Sequence, residues 1–248
     1  MWVGSGEHYS FGNQVEAARR NWETLVRSLE PLLDDAARDR PVEYNNAYYE
    51  SHAAAVDVAR RDFADEARQA EKKMWAAKLG FCWNNEGLYA ADWTNVTCFP
   101  SGLAAASKLW ADASALLDSD VDYTLFWRLL PTSKRAGAHA FEALAPAFYA
   151  PPSPQKAKKW RAWLKSWRRA GPDPDAMDRV NPLFVPREWM LVEAYEAAER
   201  MRDGSVIETL QQLFMRPYSD DHDPRLVEKY ARRAPDGAHT QGGVGYMS

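Results

Sequence analysis

The side chains best equipped for chemistry lie in one basic, tryptophan-rich stretch. Lys156, Lys158, Lys159, Arg161, Lys165, Arg168 and Arg169 occur between residues 156 and 169 without an acidic residue among them. Trp160, Trp163, Leu164 and Trp167 recur on one helical face of the same stretch. Such a pattern could hold phosphate or RNA, or lie on a membrane surface. The plainer reading is an amphipathic helix with its tryptophans in the core and its cations in water. That reading is preferred, because the apolar stripe is narrow and the chain as a whole carries a formal charge of -4. Metal chemistry finds less support. His8, His52, His139, His222 and His239 are scattered and never stand at i and i+4, and Cys82 and Cys98 have no ligand spacing around them. Asp220-Asp221-His222-Asp223 could hold a cation, but a turn ending in an N-cap at Asp223 explains it more simply. Gly4-Ser5-Gly6 and Gly242-Gly243-Val244-Gly245 lack the strand and helix that a phosphate cradle needs. No serine sits in a nucleophile-elbow pattern.

The elements that would position these residues are helical. Ala18, Trp22, Leu25, Leu29 and Leu32 give one face to a helix over 14–38, which Pro31 should kink or end early. Pro41 and Asn45-Asn46 mark a connection, and a long helix follows over about 47–79, with Gly80 as its cap. Its alanine-rich seam suits close packing in a bundle better than a coiled coil. Residues 81–102 show no period, and the Asn95-Val96-Thr97 sequon there is read as accidental. Helical patterning returns over 103–117, over 121–130 up to Pro131, and over 134–148. Ala150 to Pro154 forms a stiff linker before the basic helix, which Gly171-Pro172 ends.

The most strongly signalled stretch is Asn181 to Arg200. Pro182 and Pro186 bias Asn181 and Val185 toward extended backbone. Pro186 suits the first helical position, and Glu188 puts a negative charge in the first turn. Leu191, Ala194, Tyr195, Ala198 and Met201 define an apolar face, with Gly204 as the stop. Ser205 and Glu208 read as a capping box for a short helix, and Asp223 as the N-cap of the next. From Ala234 the chain is glycine-rich. No stretch alternates as a strand would, so the fold class expected is mainly α.

Bulk properties bound the function. With 248 residues, 46% apolar and 27% charged, the chain can bury a substantial core. Its acidic balance argues against nucleic acid as the main partner. No apolar run reaches a membrane span, and residues 1–8 resemble neither a signal nor a transit peptide. Two cysteines make no disulfide framework, which suits a reducing compartment.

Several strings, in one order, resemble the C-terminal half of the selenoprotein O family. Tyr9-Ser10-Phe11-Gly12-Asn13-Gln14 is similar to that family's YSYGNQ-type motif. Lys78-Leu79-Gly80 and Asp122-Tyr123-Thr124 follow, then Val180-Asn181-Pro182 with Val185, Arg187, Glu193 and Ala194. Arg216-Pro217-Tyr218 and Arg233-Ala234-Pro235 complete the series. Departures from the pattern are Glu7-His8, Val15, Pro186 and Glu188.

The resemblance implies a helical C-terminal lobe and extension of a protein-kinase-like fold, without the N-terminal nucleotide-binding lobe. It divides the chain into 1–150, a lobe following the metal-binding motif, 151–235, a helical extension, and 236–248, a flexible tail. It implies a protein adenylyltransferase that moves AMP from ATP to Ser, Thr or Tyr hydroxyls, with Mg²⁺. The family's catalytic, ATP-binding and metal-binding residues precede the YSYGNQ-type motif, so none is expected here and no cofactor is expected on this chain alone. Tyr9, Asn13, Gln14, Asp122, Asn181, Pro182 and Arg187 are the motif residues expected to act structurally, with Arg187 as the polar anchor. Partners would be protein substrates of the full-length enzyme, with no membrane and no nucleic acid. The location implied is intracellular: mitochondrial in a eukaryote, cytoplasmic in a bacterium. Two gene-level expectations follow, that a selenocysteine codon was read as the stop after Ser248 and that Met1 is an artefact of an incomplete gene model. The competing class is a non-catalytic helical scaffold derived from that family. In either case the first two helices should leave apolar faces uncovered.

Overall fold

The computed structural model describes residues 14–38, 52–84, 96–118 and 120–235. Tyr9 to Asn13, the connection over 39–46, Asn95 and the tail from residue 236 lie outside the described residues. The described residues are mainly α-helical, with a single short hairpin and no larger sheet among them. In order, the elements are α1 (Gln14–Arg38), α2 (His52–Lys78), β1 (Cys82–Asn84), β2 (Val96–Cys98), α3 (Pro100–Ser114) and α4 (Tyr123–Arg135). Two 3₁₀ turns follow, Gly137–His139 and Glu142–Ala147. The chain then forms α5 (Pro154–Arg169), α6 (Pro174–Val180), α7 (Glu188–Met201), α8 (Ser205–Met215) and α9 (Pro224–Tyr230).

The chain divides into two compact units, 1–71 and 72–248. In the first, α1 runs through Pro31 instead of stopping there. A proline removes one N–H from the helical ladder, and the bonds on either side can continue. The expected apolar face of α1 points outward: Trp22, Leu25 and Leu29 are exposed at 36%, 48% and 42%. Among its described side chains Val26 is buried, and Trp22 stacks on Phe63 of α2 with ring centroids 6.0 Å apart.

The second unit contains two cores. The larger is built from the end of α2 with α3, α4, α5 and α6, and its centre is aromatic. Trp75 and Trp110 stack at 3.5 Å, Trp127 lies 5.8 Å from Trp75, and Phe126 leads on to Trp160 at 5.3 Å. Trp160, Trp163 and Trp167 of the basic helix are all buried, so the plainer reading of that helix is the one the fold adopts. Each tryptophan removes about 150–250 Å² from water, worth on the order of 4–6 kcal/mol before conformational entropy. That magnitude explains α4, which continues through Pro131 to Arg135 and does not stop at the proline. An interior proline costs about 3 kcal/mol, less than the burial of Phe126, Trp127 and Leu130 around it returns.

Beyond α4 the expected helix over 134–148 is replaced by the two 3₁₀ turns. Gly137 sits at φ +62°, a left-handed conformation that breaks the α ladder. Ser133 Oγ then donates to the Ala140 carbonyl at 2.8 Å and ties the broken segment down.

The cysteines also correct the sequence reading. β1 and β2 pair antiparallel with Cys82 opposite Cys98, and the two are joined in a disulfide. A three-residue ladder was too short to announce itself by alternation, so the juxtaposition was invisible in the spacing. The cysteine count therefore no longer argues for a reducing compartment.

The second core gathers Phe184, Trp189, Met190, Leu210, Leu213 and Tyr230 from the approach to α7 and from α7, α8 and α9. Four local expectations change here. α7 begins at Glu188 with Arg187 as N-cap, two residues past Pro186. Its buried positions are Trp189, Met190, Ala194 and Ala197, while Tyr195 and Met201 face water. Burying the adjacent Trp189 and Met190 outweighs the stripe that the periodicity favoured. The left-handed residue ending α7 is Arg202, at φ 53°, and Gly204 serves as the N-cap of α8. The Ser205–Glu208 capping box does not form; Asp203 Oδ1 accepts from the Ser205 N–H at 2.8 Å instead. Asp223 caps α9 as expected, accepting from the Arg225 N–H at 2.9 Å.

Gly80 offers a direct test of this packing. It stands at φ +84°, and a Cβ there would lie 2.8 Å from the Asp173 carbonyl oxygen and 2.9 Å from Met177 Cγ. Gly80→Ala is expected to lower the unfolding free energy by about 2–4 kcal/mol, from left-handed strain plus overpacking. Urea titration followed by tryptophan fluorescence measures it, and an unchanged midpoint would contradict the close approach of α6 to this turn.

Candidate functional site

Apolar contacts fill both cores, so the polar groups buried between them carry the information about function. The first group surrounds the end of α2. Gly80 and Phe81 form a Schellman cap, with Phe81 N donating to the Ala76 carbonyl at 2.8 Å and Gly80 N to that of Ala77 at 3.0 Å. The Lys78 carbonyl accepts from Asn181 Nδ2 at 3.1 Å, and the Leu79 carbonyl accepts from Trp167 Nε1 at 3.0 Å. Asn181 is fully buried and extended, at φ -104° and ψ 110°, as the following Pro182 requires. Its Oδ1 in turn accepts from Lys78 Nζ at 3.2 Å. That ammonium also lies 5.3 Å from the centroid of the Trp127 ring. Burial pushes the Lys78 ammonium down from its ordinary 10.5 to about 8.

A second group adjoins the first. Arg128, buried in the middle of α4, donates through Nη1 to the carbonyls of Asp178 at 2.9 Å and Asn181 at 3.0 Å. Its Nη2 pairs with Asp220. Asp220 is thus more than a turn residue in its acidic cluster. His222 Nε2 contacts the Arg216 carbonyl at 3.0 Å and Asp223 is spent on its cap.

The third group centres on Asp122, which is buried and caps α4 by accepting from the Leu125 N–H at 3.0 Å. The same oxygen takes Arg187 Nη2 at 2.5 Å, and the other accepts from the Tyr149 hydroxyl at 3.1 Å. Burial first, and the Asp122 carboxylate next, push the Tyr149 phenol up. Arg187 also donates through Nη1 to the Arg232 carbonyl at 3.0 Å, while Arg233 Nη1 reaches the Phe148 carbonyl. Arg187 therefore ties the N-terminus of α4 to the N-terminus of α7 and to the segment after α9.

Of the residues singled out in the sequence, Asn181, Asp122 and Arg187 lie in these three groups. Pro182 is half-buried between them, ahead of the Leu183 N–H that donates to the Pro217 carbonyl at 2.7 Å. Gln14 opens α1, and Tyr9 and Asn13 lie outside the described residues. Arg128 and Tyr149 were missed, and Asp220 and Arg233 were noted only as a turn residue and as part of a family string. Arg128 could have been noticed, since it interrupts the apolar run Leu125-Phe126-Trp127-Arg128-Leu129-Leu130; its partners, 50 to 92 residues away, could not.

Chemically, this arrangement fixes geometry. Both Asp122 oxygens already accept hydrogen bonds, and Asn181 is engaged through both ends of its amide. Among the described residues no group of three His, Cys, Asp or Glu side chains could hold a metal ion. These residues do not fit a nucleotide-bound Mg²⁺. No helix is long and apolar enough to cross a membrane among the described residues.

Comparison with known proteins adds identity to this geometry. A family model described as "Protein adenylyltransferase SelO" matches residues 2–215. The chain is similar to "Protein nucleotidyltransferase YdiU" of Mycobacterium sp. (strain KMS), at 30% identity over 237 residues, which is 94% of this chain and 40% of that protein. It is 40% identical over 226 residues to the protein of that description in Rhizobium etli (strain CIAT 652), covering 87% of this chain and 37% of the relative. For Aromatoleum aromaticum the identity is 30% over 255 residues, with 98% and 41% covered. The chain thus spans about two fifths of the length of the curated relatives it matches.

Two measurements check the polar groups. A lysine whose folded value lies below its unfolded one binds fewer protons when folded. Its cost is therefore full below about pH 8 and is relieved as pH rises toward 10.5. The unfolding free energy of the native chain relative to Lys78→Met should rise by about 2–3 kcal/mol between about pH 7 and pH 10. A pH-independent difference would contradict a buried charged lysine. Arg187→Lys should cost about 1–3 kcal/mol in urea titration, because one ammonium cannot serve both Asp122 and the Arg232 carbonyl; a neutral outcome would contradict the tie.

Proposed function

We propose, from the premise that this chain belongs to the protein adenylyltransferase SelO family, that it is the C-terminal helical part of an enzyme that transfers AMP from ATP to Ser, Thr or Tyr hydroxyls of other proteins. The observation that carries this reading is the family match over residues 2–215, taken with relatives of which the chain covers about two fifths. ATP and Mg²⁺ would be bound by the part of such an enzyme that this chain does not cover. The role of this chain is then architectural. Its polar joints hold α2, α4 and α7 in a fixed arrangement, and its catalytic contribution is none by itself.

One feature of the fold supports a partner for the first unit. Val15, Leu25 and Leu29 expose apolar surface along α1, and such surface is costly to leave in water. In the whole enzyme it would pack against the portion that carries the nucleotide site. The protein substrates would meet that portion and not the buried joints described above.

Incubating this polypeptide with Mg²⁺ and ATP labelled at the α-phosphate tests the reading. The expected outcome is no protein-bound label above that of the heat-unfolded chain. Robust labelling would show that catalytic residues lie within the chain, and would overturn the division proposed.

A further inference from the structure

The outer face of α5 is unused by the function just proposed, yet it borders a cavity of about 550 Å³. Lys134 from α4 and Arg161, Lys165, Arg168 and Arg169 from α5 line it, with Phe141 and Leu164 supplying apolar wall. No carboxylate lines it. The simplest account of these cations is that they offset helix dipoles, since the C-termini of both α4 and α5 lie here. Each terminus carries about half a negative charge. Glu142 adds one more by pairing with Arg161 at 2.9 Å. Five cations against roughly two negative charges leave a surplus of about three.

The individual side chains divide into two groups. Lys134 Nζ donates to the Arg168 carbonyl at 3.4 Å, and Arg168 Nη1 donates to the Gly137 carbonyl at 2.5 Å. The Arg161 guanidinium lies 4.2 Å from the centroid of the Phe141 ring. These three are held in place by contacts that leave them cationic. Among the described residues, Lys165 and Arg169 have no ion-pair or hydrogen-bond partner for their side chains. Arg168 Nε is buried and likewise has no acceptor. Held cations, uncommitted donors and an apolar wall together suit a ligand with an anionic end and an unsaturated or aromatic body. Guanidinium groups favour phosphate geometry, and the cavity falls in the size range of small-molecule sites.

We propose that this cavity binds a small organic phosphate, with the phosphate between Lys165, Arg168 and Arg169 and the organic portion against Phe141 and Leu164. The test is calorimetric titration of the intact chain at low salt with phenyl phosphate and, separately, with inorganic phosphate. Phenyl phosphate is expected to bind one per chain, and several-fold more tightly than inorganic phosphate because of the apolar wall. Lys165→Gln with Arg169→Gln should weaken it about ten-fold or more, the loss of one charge-assisted bond or better. Lys158→Gln with Lys159→Gln removes the same charge from the same helix outside the cavity, and should leave affinity within about two-fold. If the first double variant does not fold, Arg169→Gln alone, at an exposed position, is read in the same way. Equal losses in the two double variants would reduce the site to general electrostatics and overturn the proposal. So would binding of RNA without binding of phenyl phosphate, or no binding at all.

Discussion

The end of α2 sets the constraint on which the larger core depends. A helix leaves its last four carbonyls without partners, and here they are buried among Ala76, Ala77, Leu79 and Phe81, where water cannot serve them. An unsatisfied buried carbonyl costs about 1–3 kcal/mol, so four would cost as much as a domain's whole stability. Two are met locally by the Gly80–Phe81 cap. The other two are met by Asn181 and Trp167, residues 103 and 88 positions from their acceptors. The chain must therefore bring α5 and the Asn181 segment to one place before this helix can end where it does. Gly80 allows that convergence in a second way, because its missing Cβ lets the Asp173 backbone approach and donate to the Gly80 carbonyl at 2.8 Å.

The ionic groups act on a different level. Arg128 and Asp122 are buried, and taking such charges out of water costs several kcal/mol each before any partner is counted. Their pairs with Asp220 and Arg187 recover much of that cost, and add little net stability over an apolar pair of equal volume. What they add is uniqueness of arrangement. Asp122 accepts from three groups on three parts of the chain, Leu125, Tyr149 and Arg187, and only one placement of α4 relative to α7 satisfies them all. Apolar surfaces alone would tolerate sliding between the two cores; this carboxylate does not.

What was legible in the sequence follows from range. Asn181 extended before Pro182, Gly80 as a cap, Asp223 as an N-cap and the buried tryptophans of α5 are all decided within a few residues. The errors arise where distant burial outweighs a local preference. Pro131 is carried inside α4 by core packing around it, and α7 is rotated by Trp189 and Met190 toward a seam its periodicity did not favour. The Arg128–Asp220 pair and the Cys82–Cys98 bridge depend on chain crossings that spacing cannot encode. At the candidate site, Asn181, Asp122 and Arg187 were legible only because a family resemblance drew attention to them. Their hydrogen bonds were not.

α5 shows how the buried face of a helix fixes the placement of its exposed face. Its tryptophans are core residues, and two of them do more than fill space: Trp163 Nε1 donates to the Leu109 carbonyl at 2.8 Å, and Trp167 Nε1 to that of Leu79 at 3.0 Å. Two directional bonds one turn apart fix the rotation of the helix about its axis, which apolar contact alone would leave loose. Fixing the buried face also fixes the opposite one. Lys165 and Arg169, four residues apart, are thereby held on one line at the cavity edge, and Arg168 beside them is locked by the Gly137 carbonyl. Side-chain freedom is reduced at Arg168 by that bond, whereas Lys165 and Arg169 are placed through their backbone and keep their rotamers.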